Sequence, residues 1–272
     1  MDGDPAVNRI QLRAALLAFA WAGLLIPATF AGQQPGTLPE KTAPAPVTTT
    51  PAASAWQREH DERLITDFPW LSKFKEADLA LAAPAPGENR VVFMGDSITE
   101  GWHFDGPQGS FPGKPYINRG ISGQTTPQMV LRFRQDVIAL KPKVVVILAG
   151  TNDIAGNTGP MTLEQTEDNL ASMTELAMVN HIRVVLCSVL PAFDFGWHLG
   201  LAPASKIVAL NAWIRAYAAE KGLVYVDFHS AMKDERDGLP AALSHDGVHP
   251  LPAGYAVMAP LVEAGIDSAL AK

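Results

Sequence analysis

Five short apolar runs, at residues 91–95, 116–118, 144–149, 183–189 and 224–228, recur along the chain, and most of the intervals between them hold helix-period segments. The periodic segments lie at 126–140, 163–180, 203–221 and 252–269. Strands that alternate with amphipathic helices of this length need crossover connections, which makes their neighbours parallel. The runs at 144–149 and 183–189 are β-branched and almost wholly apolar, as strands covered on both faces must be. Pro142 and Gly222 punctuate helix-to-strand turns where such residues are favoured. The pattern predicts one α/β domain over residues 56–272.

Chemistry is concentrated just past the ends of these strands. Gly95-Asp96-Ser97-Ile98-Thr99 follows the first, Asn118-Arg119-Gly120-Ile121-Ser122-Gly123 the second, and Gly150-Thr151-Asn152-Asp153 the third. Beyond the fifth comes Asp246-Gly247-Val248-His249. Ligands bind outside the carboxyl ends of strands in open α/β sheets. A flavodoxin-like strand order 2-1-3-4-5 would seat Ser97, Gly123 and Asn152 side by side, although connectivity alone leaves that order open. Serine, histidine and a carboxylate are the parts of a covalent acyl-transfer site.

These four blocks, in this order, resemble the SGNH, or GDSL-like, hydrolase family over residues 90–264. The resemblance implies a three-layer α/β/α sandwich with a parallel five-stranded sheet. It implies Ser97 as nucleophile, His249 as general base and then acid, and Asp246 as the carboxylate that orients the imidazole. It also implies an oxyanion hole made by the backbone N–H of Ser97, the backbone N–H of Gly123 and the side-chain amide of Asn152. Gly120, in the same turn as Gly123, reads as a backbone-geometry residue. The Asn-Arg-Gly-Ile-Ser-Gly-Gln-Thr-Thr stretch is most similar to relatives of platelet-activating-factor acetylhydrolase and to bacterial acetylesterases, which implies small acyl groups. No Gly-x-Ser-x-Gly elbow is present, which disfavours the α/β-hydrolases.

Other polar and aromatic residues near these blocks have two readings. Trp102, His103 and Phe104, with Phe193, Trp197 and His198, form either a substrate rim for sugar stacking or acyl binding, or a set of loop anchors. Asp96 and Asp153 read as loop-holding carboxylates, Asp227 and His229 as capping or loop-holding groups, and His245 as structural or a rim contact. A Ser-His-Asp mechanism requires no metal and no cofactor.

A net charge of -7 and the lack of a basic run argue against a nucleic-acid partner. The single cysteine, Cys187, lies in an apolar run and reads as a buried inert thiol. Residues 1–32 carry Arg9 and Arg13 before an uncharged stretch, and read as a signal peptide or an N-terminal membrane anchor. Residues 33–55 are a Pro/Ala/Thr-rich linker, and 56–81 a leading helical segment broken near Pro69. The expected protein is therefore exported, periplasmic or extracellular. It is expected to act as a serine esterase on short-chain, acetyl esters such as O-acetyl groups on carbohydrates. Alternatives are a lysophospholipase or thioesterase for longer chains, an O-acetyltransferase, and a non-catalytic envelope or glycan-binding module.

Overall fold

Strand β1 (Val91–Gly95) lies at the centre of the chemistry and pairs in parallel with β2 (Tyr116–Gly120) on one side and β3 (Val144–Leu148) on the other. Strands β4 (Arg183–Cys187) and β5 (Val224–Val226) extend the sheet in the order β2-β1-β3-β4-β5. The computed structural model describes residues 55–106 and 109–272. The expected leader and the linker, apart from Ala55, lie outside the described residues.

Alternate strand residues face opposite layers, as the two-residue period of a strand requires. Val92, Met94, Val145, Ile147, Val184 and Leu186 pack into one core with α4 (Thr126–Asp136), α6 (Leu163–Val179) and α7 (Ala204–Glu220). Val91, Phe93, Val144, Val146, Val185 and Cys187 pack into the other with α8 (Phe228–Met232) and α9 (Pro252–Ala271). The result is the α/β/α sandwich that the family resemblance implies, on the parallel sheet that the pattern predicts. Burial pushes the Cys187 thiol up, so it stays protonated and inert.

Local chemistry sets the boundaries. Thr162 and Gln165 form a reciprocal cap at the start of α6. The run 224–228 ends earlier as a strand than its composition indicates, because Asp227 accepts the Ser230 N–H and starts α8. The expected helix over 126–140 is regular only to Asp136, after which a short 3₁₀ turn covers Ile138–Leu140.

The leading segment forms α1 (Ala55–Thr66) and α2 (Lys75–Ala80). The turn between them presents backbone carbonyls to the domain. Gln124, Gln128 and Gln135 donate side-chain amides to the carbonyls of Pro69, Phe68 and Leu71. Arg119 pairs with Asp78 of α2 and lies over the Phe74 ring at 4.6 Å.

Candidate active site

The serine turn is built by steric and hydrogen-bond constraints at the end of β1. A Cβ on Gly95 would sit 2.1 Å from Thr99 Oγ1 and 2.7 Å from the Leu148 carbonyl, so only glycine lets the chain pass there. Asp96 Oδ1 then accepts the Ile98 N–H at 3.0 Å and starts the one-turn helix α3 (Ser97–Glu100). Ser97 is the first residue of that helix, half-buried just past the carboxyl end of β1.

His249 reaches Ser97 from the loop before α9. Its Nε2 lies 2.9 Å from Ser97 Oγ, and its Nδ1 lies 2.6 Å from Asp246 Oδ2. The other Asp246 oxygen accepts the backbone N–H groups of Val248 and His249 at 2.9 and 2.8 Å, and the Ser244 hydroxyl at 3.0 Å. Gly247, at φ 77°, supplies the left-handed residue that lets four residues close this tight loop. Burial alone would raise the Asp246 pKa. The hydrogen bonds from His249 and Val248 outweigh it and hold the carboxyl well below the usual carboxylate range. Asp246 is thus an ionised acceptor that fixes the proton of the imidazole on Nδ1 and leaves Nε2 as a base toward Ser97.

Adjacent strand ends bring two further groups beside the serine. Gly120 packs on α3 so closely that a Cβ would meet the Glu100 nitrogen at 2.1 Å. In the next turn Ser122 donates both its N–H and its hydroxyl to the Glu100 carboxylate, which also pairs with Lys73 at 3.0 Å. Gly123 follows at φ 78°, a conformation that favours glycine. On the other side, Asn152 lies buried in α5 (Thr151–Ala155). Its Nδ2 donates to the Gln124 carbonyl at 3.0 Å and stands 3.4 Å from Asp96 Oδ2.

The two buried carboxylates hold loops, as the sequence reading expects. Asp153 accepts the N–H and hydroxyl of Thr126, tying α5 to α4. Burial pushes Asp153 up to about 6 against those bonds, and pushes Asp96 up to about 7 against the Ile98 N–H and the neighbouring His249. Asp227 is committed to α8 and to Arg215, away from His249.

The rim expectation divides. Trp102 and Phe104 are only 2% and 8% exposed, in a buried aromatic cluster with Phe93, Phe111 and Tyr255. They anchor the loop after α3, since nearness in sequence to Ser97 does not set the direction of a side chain. His103 between them is exposed. Phe193 and Trp197 are 52% and 47% exposed, and the Trp197 ring lies 6.1 Å from that of His249 while stacking on buried Phe195. His198 is exposed as a residue, yet its Nδ1 is bonded to the Ala155 carbonyl at 2.8 Å. His245 is exposed next to Asp246. A cleft of about 270 Å³ adjoins Asp246 and Gly247 and is walled by Phe193, Asp194, Leu199 and Arg236.

Several residues that shape the site give no motif signal. Arg132 is wholly buried on α4 and donates to the Gly95 carbonyl, Gln124 Oε1 and Asp136. Asn157 bonds to Asn152 and to Trp197. Glu100 holds the Ser122 turn. Arg132 meets Gly95, Asn157 meets Trp197 and Glu100 meets Ser122 at separations of 37, 40 and 22 residues, and no local spacing announces those contacts.

The model of the GDSL-like Lipase/Acylhydrolase family matches residues 93–257. A GDSL-like lipase of Bacteroides thetaiotaomicron has a solved structure that superposes with a TM-score of 0.71 at 45% identity, covering 75% of this chain and 100% of that one. An acetylxylan esterase of Xylanibacter ruminicola is 27% identical over 248 residues, 78% of this chain; the chain spans 48% of that relative's length. An acetylxylan esterase of Geobacillus stearothermophilus is 26% identical over 197 residues, 62% of this chain and 90% of the relative.

Proposed function

Because the chain belongs to the GDSL-like lipase/acylhydrolase family, we propose that it is a serine esterase that removes short acyl groups, acetyl above all, from acylated carbohydrate. The observation that carries this reading is the unbroken line Ser97 Oγ, His249 Nε2, His249 Nδ1, Asp246 Oδ2, with separations of 2.9 and 2.6 Å across its two contacts.

In this reading Ser97 Oγ bonds to the ester carbonyl carbon as its proton passes to His249 Nε2. The imidazolium so formed is stabilised by ionised Asp246. The carbonyl oxygen, now an oxyanion, takes hydrogen bonds from the N–H groups of Ser97 and Gly123 and from Asn152 Nδ2. At 3.4 Å the contact of Asn152 with Asp96 is long, so an oxyanion can replace it at little cost. The bond to the sugar oxygen then breaks and that oxygen receives the proton from His249. Water, deprotonated by the same imidazole, cleaves the acyl-serine and releases acetate. Each oxyanion donor is worth about 10²–10³-fold in rate.

Two features support a carbohydrate as the alcohol side. Both acetylxylan esterases are similar in sequence across most of the domain. The exposed Trp197 ring beside His249, with Phe193 and Arg236 along the adjoining cleft, presents flat apolar faces next to polar groups, which suits a sugar ring.

The test is acetate release from acetylated xylo-oligosaccharides, with nitrophenyl esters from C2 to C12 as a length series. Wild type should release acetate and prefer the shortest esters. Ser97→Ala should lose all release with an unchanged circular dichroism spectrum. Full activity in that variant, or a maximum at C8 and above, would overturn the reading.

A further inference from the structure

Asn157 lies just past α5, and the proposed reaction does not use it. Its carboxamide nevertheless touches three parts of the site. Nδ2 donates to Asn152 Oδ1 at 2.9 Å and lies 3.4 Å from the Gly123 carbonyl, while Oδ1 accepts from Trp197 Nε1 at 3.1 Å. The backbone N–H of Asn157 also donates to the Asn152 carbonyl at 3.1 Å. One side chain therefore joins both non-serine oxyanion donors to the exposed ring beside His249.

The value of this arrangement lies in polarity. The two ends of a carboxamide are almost the same shape, and only hydrogen-bond partners decide which end points where. An oxyanion hole needs the nitrogen of Asn152, since its oxygen would repel the developing charge. Three groups contact the ends of Asn152: the Gln124 carbonyl can only accept, and so takes Nδ2, with Asp96 Oδ2 at the longer distance of 3.4 Å on the same end; Asn157 Nδ2 can only donate, and so takes Oδ1. Asn157 has the same ambiguity, and it is resolved by Trp197, because an indole N–H can only donate. The indole sets the orientation of Asn157, and Asn157 sets that of Asn152.

We propose that Asn157 is a positioning residue for the oxyanion hole, oriented by Trp197, which keeps the amide nitrogen of Asn152 turned toward the reacting carbonyl and steadies the Gly123 peptide. The proposal rests on the oxyanion roles given to Asn152 and Gly123 above.

Kinetics of five variants on a nitrophenyl acetate decide it: Asn152→Ala, Asn157→Ala, Asn157→Asp, Trp197→Phe and the Asn157→Ala/Trp197→Phe double. Asn157→Ala removes the reader of Asn152 and should lower kcat about tenfold, with KM within about twofold. Asn157→Asp keeps the shape but faces Asn152 Oδ1 with another acceptor, so the Asn152 amide meets acceptors at both ends and is displaced from its set position. It should lower kcat about 100-fold, close to Asn152→Ala. Trp197→Phe keeps the ring on Phe195 but loses the donor. It should lower kcat about threefold in the wild-type background and not at all in the Asn157→Ala background, a non-additivity that a merely structural residue would not show. Should Asn157→Asp fail to fold, the Trp197 pair of measurements still decides.

Wild-type kcat in Asn152→Ala would remove the oxyanion reading itself, and this inference with it. A severe loss in Asn152→Ala together with an Asn157→Asp at least as active as Asn157→Ala, or an equal cost of Trp197→Phe in both backgrounds, would overturn the inference alone.

Discussion

Asp246 shows how much of this site depends on the acceptor character of single atoms. One oxygen takes the imidazole N–H and the other takes two backbone N–H groups and a hydroxyl. In Asp246→Asn the carboxamide oxygen can still satisfy the backbone, so the nitrogen is left facing His249 Nδ1. Two donors cannot share that contact, and the ring must carry its proton on Nε2, where it cannot accept one from Ser97. The expected loss in kcat is about 10⁴-fold with a retained fold, read by steady-state rates alongside the thermal melt. A near-normal rate would sink the assignment of Asp246. Ser97, Gly123, Asn152, Asp246 and His249 stand in short blocks, so their company was legible in the sequence. Trp102 and Phe104 were not: they look the same in sequence whether they line a cleft or fill a core. Asn157 stands five residues past Asn152, outside its block, and two of its other partners, Trp197 and Gly123, lie 40 and 34 residues away, so nothing local marks it.

At the scale of elements, the strand-and-helix alternation is legible because burial imposes periods of 2 and 3.6 on the sequence. Boundaries were less so, since they turn on single caps such as Asp227 and on where an N–H finds its partner. The close approach of α3 to β2 leaves only an indirect mark, a glycine at position 120. Gly120 needs no positive φ; what excludes a side chain is the Glu100 nitrogen, 2.1 Å from where its Cβ would be. A methyl group there must push the serine helix off the strand, with the Glu100–Ser122 tie that follows. Gly120→Ala should therefore destabilise the fold by about 1–3 kcal/mol or more and lower kcat as well, because Ser97 and Gly123 are displaced together. Urea unfolding and kinetics on the same preparation check both effects. Unchanged values of both would show that α3 shifts freely and that the close contact is not a constraint.

For the whole molecule, charge is the property that reaches beyond contact distance. The first 54 residues hold three acidic and three basic side chains, so the formal charge of -7 belongs wholly to residues 55–272. Such a domain repels a polyanion over roughly a Debye length, about 10 Å at 0.1 M salt, and leaves a neutral glycan unaffected. Arg236 is a cation on the wall of the cleft next to Asp246, but it stands with Asp194 there and is paired with Asp234. The local balance therefore does not reverse the global one. A neutral acetylated xylan and an acetylated polyuronate thus offer the same ester in opposite electrostatic settings. At low ionic strength the enzyme should favour the neutral polymer in kcat/KM, and the ratio should shrink steadily as salt rises toward about 0.5 M, where the screening length falls to about 4 Å. Acetate release from both polymers across a salt series measures it. A preference for the polyuronate at low salt would show that cations around the cleft dominate the field at the site, and would move the substrate from neutral to acidic carbohydrate.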